Sequence, residues 1–304
     1  MPEKPVWIPP KHGPLTNPVT TKSGLTRYDI AYALIPGYRP LELQLFTPNS
    51  ASPAPLIVYV HGGGYAGGTR TEGTPWFELT QYRQRAIDRG FAFASIDYRL
   101  GFEASFPAAV NDVHASLRWL AKFGEKLNID VSKTVLWGES AGGHLAALAV
   151  NTQNDDYFAG QEGAEKSDSM NIVGLIDWYG ATELTTIVRP MDGTDESMPE
   201  AFRFPPEFFN LGAERWKNSD WLAKASPVNY IHSKSTETLL VHGDADTMVP
   251  LQQSLVLAEA LQAAGVKHEL VVIPGGEHGF MGLPQEQING IVDLTLDFVQ
   301  KVCN

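Results

Sequence analysis

The 304-residue chain has one cysteine, Cys303, beside its carboxyl terminus. That count excludes an intramolecular disulfide and a cysteine-rich metal site. No apolar run reaches the length that spans a bilayer, so a transmembrane reading is rejected. The opening Met1-Pro2-Glu3-Lys4-Pro5-Val6-Trp7-Ile8-Pro9-Pro10 lacks the uninterrupted apolar core of a secretory leader, and cytoplasmic residence is the expectation. Cations are scarce: 23 Lys and Arg stand against 35 Asp and Glu, a formal charge of -12. A deficit of that size disfavours a nucleic-acid or anionic-membrane surface, since both need clustered positive charge. Internal repeats, heptads and low-complexity tracts are also lacking, which leaves solenoids and coiled coils without support.

What remains is a soluble globular composition, 43% hydrophobic and 19% charged, in a chain long enough to bury a substantial core. Apolar segments and helical periodicities alternate along it. Residues 41–46 read Leu-Glu-Leu-Gln-Leu-Phe, an alternation that predicts a half-buried strand at a sheet edge, whereas residues 56–60 are continuously apolar, as a strand covered on both faces would be. Further strands are expected over 91–96, 134–137, 172–178, 238–241 and 269–273, and helices over 76–88, 106–123, 141–150, 251–264 and 285–302. Repeated βα units of this kind predict an α/β chain with a doubly wound, mostly parallel sheet. One domain over 1–304 is preferred. Residues 1–23, rich in proline and polar side chains, are expected to form an extended arm, and residues 181–236 a cap insertion. That insertion is too long for a routine connection and carries Phe202, Phe204, Phe208, Phe209, Trp216 and Trp221.

The chemistry concentrates where strands end. Gly138-Glu139-Ser140-Ala141-Gly142 joins an apolar run to a small-residue helical run. The pattern places Ser140 on a strained strand-to-helix turn with its hydroxyl projecting above the sheet. In a chain with 28 glycines the pentapeptide alone is weak, because the same letters also describe an ordinary helix-capping serine. The later segments decide. Asp244 and Asp246 both follow the strand ending near Val241. Asp244 suits turn organisation, and Asp246, farther into the loop, suits contact with an imidazole.

Of eight histidines, His278 is the preferred base because it sits in the loop Gly275-Gly276-Glu277-His278-Gly279-Phe280 after an apolar strand. His268 opens that strand. His144 lies one helical turn beyond Ser140 and is read as structural, and His242 as strand-end packing. His61-Gly62-Gly63-Gly64 offers backbone amides that can approach a developing oxyanion, with Gly63, Gly64 and the amide of Ala141 sharing the task. A phosphate loop is disfavoured there, because the Gly-Lys-Ser/Thr ending is missing. Tyr65, Phe102, Trp178, Tyr179 and Phe280 adjoin these segments and are the candidate substrate pocket.

Together these segments, with Asp97-Tyr98-Arg99-Leu100, Phe106-Pro107-Ala108-Ala109, Asp112 and Ser226-Pro227, resemble the esterase/lipase branch of the α/β-hydrolase superfamily, which includes hormone-sensitive-lipase-like enzymes. The acid loop, His242 to Pro250, departs from that group and looks more like feruloyl-esterase-like or prolyl-oligopeptidase-like relatives. The resemblance implies an α/β-hydrolase fold with Ser140 as nucleophile, Asp246 as acid, His278 as base, and Gly63, Gly64 and Ala141 as oxyanion donors. It implies a carboxylesterase acting on small to medium uncharged esters through an acyl-enzyme, without metal or cofactor. A lactonase or arylformamidase uses the same machinery, and a non-catalytic ligand receptor is the reading from another class. The partner expected is a small-molecule ester; the sequence leaves the oligomeric state open.

Overall fold

The computed structural model describes residues 19–20, 26–35, 39–71, 79–160, 170–187 and 204–304. Its centre is a sheet of nine strands among the described residues: β1 (Val19–Thr20), β2 (Thr26–Ala33), β3 (Leu41–Thr47), β4 (Ala54–Val60), β5 (Ala92–Ile96), β6 (Ile129–Glu139), β7 (Ile172–Trp178), β8 (Thr238–Gly243) and β9 (His268–Ile273). They lie in the order β1-β2-β3-β5-β4-β6-β7-β8-β9. The first three pairings along that order are antiparallel and the remaining five, from β5 through β9, are parallel. The mostly parallel α/β architecture expected from the sequence is present.

Helices cover both faces. They are α1 (Leu79–Asp88), α2 (Ala108–Phe123), α3 (Ala141–Asn151), α4 (Pro206–Leu211), α5 (Ser219–Lys224), α6 (Gln252–Ala263) and α7 (Gln285–Cys303). The two-residue period of a strand divides the core between the faces. Leu56, Val58 and Val60 of β4 pack with α2 and α3, while Ile57 and Tyr59 of the same strand pack with α1 and α7. The continuous apolar run at 56–60 thus serves two cores, as a strand covered on both sides must.

Two expectations need correction. The segment read as a sheet edge, β3, lies inside the sheet between β2 and β5 and is buried along nearly its whole length. Its polar residues meet protein partners: Gln44 donates to Asp29 at 2.8 Å and Glu42 pairs with Arg70 at 2.9 Å. The arm expected over 1–23 falls mostly outside the described residues, but Val19–Thr20 forms β1 against β2 and so belongs to the sheet. Residues 76–78 of the first expected helix also lie outside the described residues. No helix among the described residues is long and apolar enough to cross a membrane.

The connection from β7 to β8 contains α4 and α5 and reaches over the sheet's carboxyl end. A Cβ on Gly64 would lie 3.7 Å from Pro206 at the start of α4, and one on Gly101 would collide with the Phe209 carbonyl. Both loops therefore run directly against this connection. Within it, Phe204 stacks on Phe208 at 4.1 Å, and Trp216 meets Phe208 edge-on at 6.0 Å. Phe202 lies outside the described residues.

Candidate active site

Ser140 stands between β6 and α3 with φ 54° and ψ -121°. A non-glycine residue rarely holds a positive φ, and the cost of order 1–3 kcal/mol persists only where the surroundings enforce it. Here they do. The Ser140 amide donates to the Trp178 carbonyl at 2.8 Å, and its own carbonyl accepts from the His144 amide at 3.1 Å. Gly138 and Gly142 make the turn possible, since a Cβ on either would lie about 2 Å from a backbone oxygen of Gly142 or Val60 respectively.

The strands then deliver the other two side chains. His278 Nε2 lies 2.9 Å from Ser140 Oγ, and His278 Nδ1 lies 2.7 Å from Asp246 Oδ2. All three residues are buried. A carboxylate oxygen can only accept, so Nδ1 carries the ring proton and Nε2 presents its lone pair to the serine hydroxyl. Asp246 Oδ1 takes the amides of Met248 at 2.9 Å and Val249 at 2.7 Å. Burial alone would raise the Asp246 pKa. Hydrogen bonds from His242 and His278, the His278 charge and the Val249 amide outweigh it and hold the carboxyl well below its ordinary value.

The rival acid is elsewhere. Asp244 is exposed and accepts the Gly275 amide at 2.7 Å, so it ties the acid loop to the histidine loop as a turn residue.

The glycine loop lies beside the elbow. Gly63 has φ 102° and Gly64 φ 59°, and the Gly63 carbonyl accepts from Ala66 and Gly67 at 3.0 and 3.1 Å. Ala141 is the first residue of α3, where a helix supplies no carbonyl for its amides. Glu139 joins the two segments: its Oε1 accepts the Gly62 amide at 3.0 Å and the Tyr59 hydroxyl at 3.2 Å, and its Oε2 accepts the Tyr179 hydroxyl at 3.2 Å. Under the loop, the His61 ring stacks on Tyr98 at 4.3 Å and its Nδ1 donates to the Gly62 carbonyl at 2.8 Å. Burial lowers the His61 pKa, partly offset by that hydrogen bond.

The five aromatics expected to line the substrate pocket differ in their surroundings. Trp178 is 0% exposed and donates from Nε1 to Thr295 Oγ1 at 3.1 Å. Strand alternation turns it, with Ile176, toward α7. Phe280 packs on Trp178 and Tyr179, with ring centres 5.1 and 4.9 Å away. Tyr179 packs edge-on against the His278 ring, with centres 4.9 Å apart. Tyr65 is buried against His144 at 5.5 Å. Only Phe102 of the five is open, 70% exposed and 5.0 Å from Phe209.

His144 itself donates from Nε2 to the Ala225 carbonyl at 2.6 Å, pinning the β7–β8 connection to α3, and burial pushes its pKa down to about 4. His242, read as a packing residue, lies 3.3 Å from Asp246. Its four-residue spacing from that acid was the only signal in the sequence.

The BD-FAE family model matches residues 43–261. Esterase LipQ of Mycobacterium tuberculosis is 29% identical over 257 residues, covering 83% of this chain and 56% of LipQ. An ethyl acetate hydrolase of Pseudomonas putida is 27% identical over 257 residues, 79% of this chain and 71% of that protein. The chain spans about half the length of the mycobacterial relatives LipQ and LipC, 56% and 53%. Among solved structures, a truncated carbohydrate esterase from gut microbiota is 25% identical with a TM-score of 0.72, over 90% of this chain and 96% of that one. The esterase 2 of Thermogutta terrifontis phosphorylated by paraoxon shares the fold at a TM-score of 0.70 and 23% identity, over 91% and 94%.

Proposed function

The chain belongs to the BD-FAE family of α/β hydrolases, and from that premise we propose that it is a serine carboxylesterase working through an acyl-enzyme. The observation that carries this reading is the continuous relay from Asp246 Oδ2 to His278 Nδ1 at 2.7 Å and from His278 Nε2 to Ser140 Oγ at 2.9 Å, ending on a nucleophile held at positive φ. His278 takes the Ser140 proton as Oγ attacks an ester carbonyl, and Asp246 stabilises the imidazolium that forms. The amides of Gly63, Gly64 and Ala141 meet the charge on the tetrahedral oxygen, each worth about 10²- to 10³-fold in rate. The imidazolium then protonates the departing alcohol. Water, deprotonated by the same nitrogen, attacks the acyl carbon and releases the acid.

Small to medium uncharged esters are the proposed substrates, in keeping with the relative named ethyl acetate hydrolase and the structural neighbour named a carbohydrate esterase. A receptor has no use for a strained serine whose hydroxyl faces a correctly protonated imidazole.

The test is labelling of the folded protein by a fluorophosphonate, which forms a covalent bond to Ser140 Oγ. Ser140→Ala is expected to abolish both labelling and turnover. Wild-type protein that stays folded yet neither labels nor hydrolyses any member of a panel of ethyl acetate, aryl esters, acetylated sugars, lactones and formamides would remove the esterase reading. The panel's ranking also separates ester from lactone and formamide hydrolysis on the same relay.

A further inference from the structure

Resting on that esterase reading, the surroundings of Asp246 assign a role to a residue outside the relay. His242 is the penultimate residue of β8, fully buried, four positions before the acid. Its Nε2 lies 2.8 Å from the Val249 carbonyl and 3.3 Å from Asp246 Oδ2. Both of those oxygens can only accept, so Nε2 carries a hydrogen and shares it between them. The other nitrogen, Nδ1, lies 2.7 Å from Ser254 Oγ on α6, a hydroxyl that is itself fully buried. With the hydrogen on Nε2, Nδ1 accepts a hydrogen bond from the Ser254 hydroxyl, so the oxygens at Nε2 set the tautomer and the serine holds the ring in place. Asp246 Oδ2 is left between two imidazole N–H groups, His278 on the site side and His242 behind. Packing alone requires neither the matched donors nor an acid within reach of both rings.

We infer that His242 is a positioning residue for the acid: its Nε2–H bonds the Val249 carbonyl and faces Asp246 Oδ2 at 3.3 Å, and Ser254 holds the ring in place by donating to Nδ1. The loop from Asp246 to Val249 closes on itself through its two amide bonds to Oδ1, and His242 fastens the closed loop to the end of β8. The carboxylate then has a single orientation toward His278. Gly243 completes the arrangement, since a Cβ there would sit 2.0 Å from the Gly276 carbonyl and push the acid and histidine loops apart.

The experiment compares His242→Leu, His242→Gln and Ser254→Ala with wild type on p-nitrophenyl acetate, with kcat expressed per site titrated by a fluorophosphonate. Asp246→Asn serves as a reference, as does Ser140→Ala, whose turnover is read per folded protein because it has no site to titrate. The Leu variant removes the N–H, while the Gln amide puts one back near Nε2. His242→Leu is expected to lower kcat at least about tenfold, as loss of one charge-assisted hydrogen bond would, with KM within about twofold. His242→Gln is expected to recover most of that loss, and Ser254→Ala to fall between the two.

A merely structural role would lower thermal stability and the number of titratable sites but leave kcat per site unmoved, and that result overturns the inference. Equal kcat in the Leu and Gln variants overturns it as well. If His242→Leu fails to fold, Ser254→Ala decides, and an unchanged kcat per site there counts against the inference. Turnover that survives Ser140→Ala would remove the esterase reading itself, and this role with it. Turnover lost in Ser140→Ala but untouched at His242 and Ser254 removes this role alone.

Discussion

At the scale of single residues, the two aspartates of the acid loop show how placement decides a role. Asp246 accepts hydrogen bonds from Met248, Val249 and His278 and has the His242 imidazole 3.3 Å away, whereas Asp244 takes the Gly275 amide from an exposed position. Asp246→Asn would present an amide N–H to His278 Nδ1 and so favour the tautomer whose Nε2 is already protonated. Steady-state turnover is expected to fall on the order of 10⁴-fold, the scale of the same change in a serine protease. Asp244→Asn keeps an oxygen for the Gly275 amide and is expected to stay within about twofold of wild type, because a neutral acceptor replaces a charged one at an exposed turn. Equal losses, or the reverse order, would show that the acid is misassigned. The histidines divide in the same way. His278→Gln is expected to abolish acylation measured by a burst of p-nitrophenol, and His144→Gln to leave much of it, because His144 is spent on the Ala225 carbonyl.

At the scale of elements, the proposed oxyanion loop depends on glycines for two separable reasons. Gly68 and Gly90 both have φ near +90° and would both be strained by a Cβ, at about 1–3 kcal/mol. Only at Gly68 would that Cβ also meet neighbours, 2.3 Å from His61 Nδ1 and 2.8 Å from the Gly62 carbonyl, while Gly90 faces open space. Gly90→Ala is therefore expected to lower the melting temperature with kcat intact, and Gly68→Ala to lower both, because His61 and Gly62 lead into Gly63 and Gly64. An unchanged kcat in Gly68→Ala would separate the loop's backbone from the rate. The same distinction between local pattern and neighbours explains what was legible in the sequence. The central strands and the five long helices announce themselves through apolar runs and helical spacing, and the proposed triad through residues that follow strand ends. In β3 the alternation of Leu with Glu42 and Gln44 suggested water on one face, but Arg70 and Asp29 stand there instead. β2 escaped notice because Arg27 and Asp29, paired at 3.2 Å, break its apolar run, and its stability comes from pairing with β3, a partner its own residues do not reveal. Nor could spacing tell that Trp178 and Phe280 turn into the core.

For the whole molecule, the two cores meet at a sheet whose interior holds a fully buried acid. Asp177 of β7 is fully buried, accepts the Gly180 amide at 2.9 Å, and has Gly143 close enough that a Cβ there would collide with its carboxylate. Burial raises its pKa to about 6, against the smaller opposing effects of His242 and the Gly180 amide. A carboxyl whose folded pKa lies above its unfolded value binds its proton more tightly in the native state. Its contribution to stability is therefore greatest below the unfolded pKa near 3.8 and is lost as pH rises through about 6. Asp177→Asn keeps an acceptor for Gly180 and has no charge to bury. Its stability relative to wild type, measured by urea unfolding, is expected to rise by about 1 kcal/mol between pH 5 and pH 8. Most of the change should fall below pH 7, where wild-type Asp177 is losing its proton. The comparison cancels the titration of the 35 acidic and 23 basic residues except where they couple to this site. A difference between variant and wild type that stays flat from pH 5 to pH 8 would mean that Asp177 holds its ordinary acidity in the folded chain, and that water or a rearranged neighbour reaches the carboxylate between α3 and β7.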